Sequence, residues 1–227
     1  MKRSELTWSR REWLRRGLAG GAALALTRPV RVNAGPAAPG TAAAAVTPPA
    51  SAKLPFPDLA TAGLDYRNRA SWAVASPDLA RLRKAERFDR ITVHHSGVPN
   101  RFHMDEPTII NDLNGVCTGH CERNYGDIGY HFVVDVTGRV WQGRSLAYVG
   151  AHVSGQNREN IGIMLLGNFE VQGPAAEQLG ALKRVVAVMC RHYGMNWSSV
   201  YGHRDLGHSA CPGASLYEHL VAMRNRA

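Results

Sequence analysis

Residues 161–166, with the sequence IGIMLL, form a continuous apolar run that is short for a helix. A strand that is apolar at every position has to be covered on both of its faces. The run therefore predicts a central strand in a sheet that is covered by helices.

Other segments supply further strands. Residues 90–95 (RITVHH) are rich in β-branched side chains and are followed by glycine and proline, which predicts a short buried strand. Residues 131–135 and 139–142 predict a hairpin, joined by a turn that contains Gly138.

Three segments predict helices. Residues 174–193 begin with proline, precede Gly194 and carry apolar residues at three- and four-residue intervals. The spaced residues are Leu179, Leu182, Val186, Met189 and Tyr193. A second helix begins at residues 105–107 (DEP), and a last one begins at Gly213 or Ser215.

The charge of the chain is unevenly distributed. The formal net charge is +9, but residues 1–34 hold eight of the 27 Lys and Arg and only two of the 18 Asp and Glu. The remainder has 19 basic and 16 acidic residues, so its net charge is +3. We therefore expect no nucleic-acid partner.

The N-terminal segment has the composition of a secretory signal. Residues 9–15 (SRREWLR) precede a mildly apolar stretch at 17–26, and small residues at Val32 and Ala34 suit a cleavage site. The paired arginines resemble a bacterial twin-arginine signal, which predicts export to the periplasm or beyond. The apolar stretch is about half of the roughly 20 residues that a membrane span needs, so we expect no span in the mature protein.

The chain is expected to divide into three parts. Residues 1–34 are the predicted signal peptide, and residues 35–57, rich in Ala, Pro and Thr, are a predicted flexible linker. Residues 58–227 form one predicted α/β domain, with a central mixed β-sheet flanked by helices. We expect this domain to be a monomer.

Three residues in separate segments are candidate metal ligands. His94 lies at the end of a predicted strand, His203 in the segment YGHRD, and Cys211 in the segment SACPG. Two imidazoles and one thiolate suit zinc and leave a fourth tetrahedral position open for water. The chain has ten histidines, so spacing alone does not single these out. No H-E-x-x-H, C-x-x-C or G-x-S-x-G motif is present.

Several short motifs follow one another in an order that resembles a known family. They are RASW at 69–72, ITVHHS at 91–96, GDIGYHF at 126–132, QGR at 142–144, GAH at 150–152, IGI at 161–163 with GNF at 167–169, GHRD at 202–205 and CPG at 211–213. Together they resemble the zinc-dependent N-acetylmuramoyl-L-alanine amidases of the peptidoglycan-recognition-protein and phage-lysozyme-type (type 2) superfamily. The resemblance covers roughly residues 68–220.

The resemblance implies a fold, a cofactor and roles for individual residues. It implies the peptidoglycan-recognition-protein/amidase-like fold, Zn²⁺ held by His94, His203 and Cys211, and Tyr130 as the catalytic tyrosine. Ser209 stands where relatives often have Lys or Thr, and we expect it to assist catalysis. The implied substrate is peptidoglycan or a muropeptide, cut between the lactyl group and L-alanine.

Other residues near these motifs are interpreted as substrate-binding or supporting residues. Arg144 and His152 either line the substrate groove or support it by packing. Asp205 is interpreted as a structural partner around the metal site. Strand alternation turns His95 away from the face of His94, and His131 is likewise interpreted as a hydrogen-bonded core residue.

The cysteines Cys117 and Cys121 also remain open. The resemblance implies a short-loop disulfide between them, which an oxidising periplasm permits. A regular helix aims the two side chains poorly for a bond, so pairing requires the helix to end by Cys117. A rival interpretation adds His120 to form a second metal site. Cys190 is expected to be a buried free thiol.

Two further functions compete with the amidase. Some members of the superfamily lack the cysteine ligand and bind peptidoglycan without cutting it, so a non-catalytic recognition protein is the main alternative. A zinc peptidase that cuts elsewhere in the stem peptide is a third hypothesis. The intact ligand set and Tyr130 favour the catalytic amidase.

Overall fold

The computed structural model describes residues 57, 59, 62–99 and 105–225. The predicted signal peptide and, apart from Pro57, the predicted linker lie outside the described residues. Within the described part of the chain, no helix combines the length and the apolar character needed to cross a membrane.

One mixed sheet of six strands organises the described residues. The strands are β1 (Tyr66–Arg67), β2 (Arg90–His95), β3 (Phe132–Val134), β4 (Val140–Gln142), β5 (Asn160–Leu165) and β6 (Val200–Gly202). Their order across the sheet is β1-β4-β3-β5-β2-β6. Only the β3–β4 hairpin is antiparallel, and the other four pairings are parallel.

The apolar run at 161–166 lies in the middle of this sheet. Every residue of β5 is buried, and β5 pairs with β2 on one side and β3 on the other. The prediction of a central strand covered on both faces is confirmed, with the strand beginning one residue earlier, at Asn160.

Helices cover the two faces of the sheet. The first helix, α1 (Glu106–Glu122), packs on one face, where its apolar residues meet Val133, Trp141 and Met164. The helices α2 (Ala176–Tyr193) and α4 (Ala214–Arg224) pack on the opposite face, against the odd-numbered residues of β2 and β5. The predicted α/β fold, a mixed sheet flanked by helices, is thereby confirmed.

The helix ends follow the capping signals in the sequence. Asp105 accepts the backbone N–H of Thr108 at the start of α1, and Gly194 ends α2 in the left-handed conformation with φ +68°. Helix α4 begins directly after Gly213, one of its two predicted starting points. A fourth helix, α3 (His203–Leu206), is only one turn long and follows β6 without a loop.

The implied Cys117–Cys121 disulfide is absent from the structure. Helix α1 continues through Cys117 and Cys121 to Glu122, and both cysteines are free. Side chains four residues apart on a helix have Cβ atoms about 5–6 Å apart, beyond the roughly 3.5–4.5 Å of a disulfide. The buried Cys117 thiol instead lies 3.7 Å from the carboxylate of Asp127. Cys190 is a buried free thiol, as the sequence predicts.

A thiol count tests this correction. Protein that is unfolded in denaturant without reductant should react with a thiol reagent at all four of its cysteines, because each is a free thiol. If peptide mass spectrometry located the reaction at Cys190 and Cys211 alone, the disulfide between Cys117 and Cys121 would be present after all. A Cys117→Ser, Cys121→Ser double variant gives the reference for that reduced count.

Candidate metal centre

Two of the candidate ligands come together through strand pairing. Strands β2 and β6 run in parallel with Val93 opposite Gly202, so His94 and His203 follow next to each other at the carboxyl ends. Their ring centroids are 4.8 Å apart. The alternation of β2 also turns His94 toward the face covered by α1 and turns Val93 into the opposite core.

The third candidate reaches the same point from the loop between α3 and α4. Cys211 Sγ lies 3.6 Å from His94 Nδ1, and the ligand atoms of His94, His203 and Cys211 all lie within 4.8 Å of one another. The loop is held by two hydrogen bonds: Arg204 N–H donates to the Cys211 carbonyl, and Cys211 N–H donates to Ser209 Oγ. The structure thus brings the three predicted ligands together.

The protonation of the three residues suits a metal with nitrogen and sulfur ligands. Burial lowers the pKa of both His94 and His203, so their imidazoles are neutral at neutral pH and can ligate. Burial raises the pKa of the Cys211 thiol to about 12, opposed by the His95 N–H at 3.4 Å and by the charge of Arg204. A bound cation would displace the thiol proton. Two imidazoles and one thiolate fit zinc.

The three donors differ in their exposure to solvent. His94 is only 1% exposed, whereas His203 and Cys211 are half-buried. The centre is therefore enclosed at His94 and partly exposed at His203 and Cys211. Partial exposure of this kind suits a catalytic zinc site, in which water or substrate takes the fourth position.

Tyr130 lies beside this centre. Its ring centroid is 5.1 Å from that of His94, and its side chain is half-buried. Burial raises the pKa of the Tyr130 hydroxyl above its usual value, so the phenol stays protonated at neutral pH. A protonated phenol here can donate a hydrogen bond but is a poor base.

Arg144 lies inside the domain instead of lining a groove beside the metal centre. Its side chain is 3% exposed, and the guanidinium donates to four backbone carbonyls, those of Tyr125, Asp127, Ile128 and Val149. These contacts hold residues 125–128, which lead directly to Tyr130. Of the two interpretations of Arg144, packing support is the one that the structure describes.

His152 lies behind His94 and not in front of it. Its Nδ1 is 3.0 Å from His94 Nε2, and its Nε2 is 3.2 Å from the carbonyl oxygen of Asn160. Both ring nitrogens therefore have protein partners. The structure places His152 as a support for a candidate ligand, which leaves its ring no nitrogen for a substrate.

Asp205 and Ser209 stabilise the segments that carry His203 and Cys211. The Asp205 carboxylate accepts from the backbone N–H of Gly202 and from the side chains of Tyr217 and Arg224, which ties α3 to α4. Ser209 Oγ accepts from Cys211 N–H, and its own O–H remains a donor. Asp205 is thus a structural partner, as predicted, and the assisting role of Ser209 stays a prediction.

The remaining histidines near the site make protein contacts. His95 Nδ1 accepts from Phe169 N–H on the other side of β2, and His131 Nδ1 accepts from Gly162 N–H. His120 Nδ1 accepts from Gly129 N–H, next to Tyr130. Within residues 62–99 and 105–225, one group of three metal-capable side chains comes together, and His120 is not part of it. A second metal site there is not formed.

Comparisons with known proteins agree on the family. The family model described as N-acetylmuramoyl-L-alanine amidase matches residues 84–214. A peptidoglycan-recognition protein of Drosophila melanogaster is 31% identical over 161 residues, which cover 69% of this chain and 86% of that protein. The N-acetylmuramoyl-L-alanine amidase of Homo sapiens is 30% identical over 129 residues, 56% of this chain and 22% of that protein.

Solved structures give the same fold. The ectodomain complex of peptidoglycan recognition proteins LCa and LCx, with bound tracheal cytotoxin, is 30% identical with a TM-score of 0.61, covering 68% of this chain and 93% of that one. The amidase LysC from Clostridium intestinale has a TM-score of 0.57 at 24% identity, covering 67% and 95%, a likeness of fold alone.

The buried histidines predict how stability depends on pH. Burial lowers the pKa of His131 to about 4, whereas an unfolded histidine titrates near 6.5. Unfolded chains therefore take up a proton below about pH 6.5 that the folded protein excludes, and the free energy of unfolding should fall as the pH drops toward 4. Urea unfolding at a series of pH values, with chelator present, measures this slope.

Two variants isolate the contribution of His131. His131→Asn should make the slope between pH 6.5 and 4 shallower, because the titrating group is gone. His219→Asn makes the same substitution at an exposed position of α4 and controls for the change of side chain itself. Equal slopes for wild type and His131→Asn would contradict the assignment.

Proposed function

We propose, from the premise that this chain belongs to the N-acetylmuramoyl-L-alanine amidase family, that it is an exported zinc amidase of peptidoglycan. The bond cut is the amide between the lactyl group of N-acetylmuramic acid and L-alanine. The observation that carries the proposal is that His94, His203 and Cys211 converge within 4.8 Å with Tyr130 beside them.

His94, His203 and Cys211 would hold the metal. Two neutral imidazoles and a thiolate form the type of donor set that zinc prefers, and three protein ligands leave one position open. Bound zinc supplies Lewis acidity, which polarises a carbonyl and lowers the pKa of water toward about 7. The protein contributes the placement of the three donors and the partial exposure of His203 and Cys211.

Tyr130 is proposed to act on the scissile carbonyl. Its hydroxyl is protonated at neutral pH, and its ring lies 5.1 Å from the ring of His94. A positioned O–H donor stabilises the negative charge that develops on the carbonyl oxygen as the amide is attacked. Ser209, on the loop that carries Cys211, is proposed as a second, weaker donor.

The alternative is a recognition protein that binds peptidoglycan without cutting it. The similarity to the Drosophila peptidoglycan-recognition protein and to the complex with bound tracheal cytotoxin favours binding to peptidoglycan fragments under either function. The Cys211 thiol and the Tyr130 hydroxyl favour cleavage. The two functions share peptidoglycan as the bound molecule and differ in whether a cleaved product is released.

Product analysis tests the enzyme. Residues 35–227, loaded with zinc and incubated with purified cell walls, should release peptides with a free L-alanine amine, identified by mass spectrometry. Chelator should abolish the release, and added zinc should restore it. Binding to the walls with all amide bonds intact would support the recognition protein instead.

Variants at the site test the individual roles. Cys211→Ala should abolish activity by removing a ligand. Tyr130→Phe should retain zinc and lower turnover by about 10²–10³, the usual loss for one oxyanion donor. Tyr193→Phe is a matched control, because the Tyr193 hydroxyl is buried without a hydrogen-bond partner and its removal costs no hydrogen bond. Full activity in Tyr130→Phe would contradict the role proposed for that hydroxyl.

Export is proposed from the N-terminal sequence. Residues 1–57 fused to a folded reporter should carry it out of the cytoplasm of a bacterium that has a twin-arginine pathway. Changing Arg10 and Arg11 to lysine should block that transport, whereas changing Arg15 and Arg16 to lysine keeps the same charge and should not. A reporter that remains in the cytoplasm with the unchanged segment would contradict export.

A further inference from the structure

We propose that His152 is a positioning residue that fixes the proton of His94 on Nε2 and thereby leaves His94 Nδ1 bare and facing His203 and Cys211. The tautomers of these two imidazoles follow from their hydrogen-bond partners. The proposal deepens the proposed function. The hydrogen bonds are observed independently of zinc, and their consequence for metal binding rests on the proposed zinc site.

The first step fixes the proton of His152. Its Nε2 lies 3.2 Å from the backbone carbonyl oxygen of Asn160. A carbonyl oxygen can only accept, so Nε2 carries the hydrogen. The ring is half-buried, and the neutral form of an imidazole prevails above about pH 6.5. A neutral imidazole has one N–H, so His152 Nδ1 is an acceptor.

The second step fixes the proton of His94. His152 Nδ1 is 3.0 Å from His94 Nε2, so an acceptor at this position requires His94 Nε2 to donate. The neutral ring of His94, which is 1% exposed, has a single N–H, and that N–H is then used. The remaining nitrogen, Nδ1, has a free lone pair and lies 3.6 Å from Cys211 Sγ. The lone pair thus points into the candidate metal centre.

The Asn160 carbonyl, from which the chain of hydrogen bonds starts, is itself held in place. Asn160 is fully buried at the beginning of β5. Its side-chain oxygen accepts from Thr92 Oγ1 at 2.9 Å, and its side-chain nitrogen donates to the Gln156 carbonyl at 2.8 Å. The acceptor that sets the tautomer of His152 is therefore fixed by β2 and by the 156–160 turn.

The ring of His152 also has little freedom to turn. A Cβ atom added at Gly150 or at Gly162 would come within 2.5 Å of His152 Cδ2, so the ring occupies a slot that these two glycines leave open. The neighbouring His131 uses both of its nitrogens elsewhere, with Gly162 N–H and the Tyr148 carbonyl. His131 therefore does not compete for the nitrogens of His152.

A hydrogen-bonding role and a packing role for His152 predict opposite effects of two substitutions. His152→Phe keeps a flat ring in the glycine slot but has no acceptor for the His94 N–H. His152→Asn is smaller, but its side-chain oxygen can occupy the position of Nδ1 and accept that hydrogen. If His152 acts through its hydrogen bond, His152→Asn should bind zinc more tightly than His152→Phe. If it acts by packing, His152→Phe should bind zinc more tightly than His152→Asn.

Zinc affinity, measured by competition with a chelator, distinguishes the hydrogen-bonding role of His152 from the packing role. Loss of a partner that orients a ligand typically lowers metal affinity by about 10–100-fold. We expect that loss in His152→Phe and a smaller one in His152→Asn. The thermal midpoint of each metal-free variant reports packing separately. Affinity in His152→Phe equal to wild type, or lower in Asn than in Phe, would overturn the proposal.

A measurement on the unmodified protein does not depend on how the variants fold. Two-bond ¹H–¹⁵N spectra of histidine-labelled protein identify which ring nitrogen carries the proton, with His94 assigned by the signal lost in His94→Ala. We expect His94 to be protonated at Nε2 with and without zinc. Protonation at Nδ1 in the metal-free protein would overturn the proposal, whereas a protein with the expected tautomer that binds no zinc would overturn the proposed function alone.

Discussion

Strand β2 lies between β5 and β6, and the parallel register on its two sides decides where its histidines point. Val93 opposite Gly202 sets His94 next to His203, and His94 opposite Met164 faces α1. Because side chains alternate along a strand, a shift of one residue would turn His94 into the core under α2 and α4. The metal centre is thus a consequence of sheet pairing, which is itself fixed by the buried apolar residues on both faces.

The same region buries several polar side chains. Thr92, His94, His131 and Asn160 are all buried between β2, β3 and β5. Burying such groups is unfavourable unless each has a hydrogen-bond partner. The partners run from Thr92 to Asn160, then to His152 and His94, so the polar groups satisfy one another and end at the candidate metal centre. Stability and ligand orientation therefore depend on the same contacts.

Local sequence patterns predict the strands and helices well. The roles of single residues are harder to predict, because they depend on contacts between segments that are distant in the sequence. The continuous apolar run at 161–166 and the spaced apolar residues before Gly194 are local signals, so the sequence alone located the strand at 160–165 and the helix at 176–193 to within one or two residues. The ligand set came from ordered motifs that resemble a family. Arg144 and His152 were ambiguous because their partners, the carbonyls of residues 125–128 and of Asn160, are brought near only by folding.

Gly162 lies in the central strand, where a β-branched residue would ordinarily favour the sheet. Its missing side chain leaves the space that His152 occupies, and its N–H donates to His131. A stabilisation campaign that replaces strand glycines would select this position on propensity alone. Such a replacement would bring a Cβ atom within 2.5 Å of His152 Cδ2, so overpacking around the imidazole behind the metal centre would offset the gain in strand propensity. A thermal screen should therefore return glycine at this position, although its strand propensity is poor.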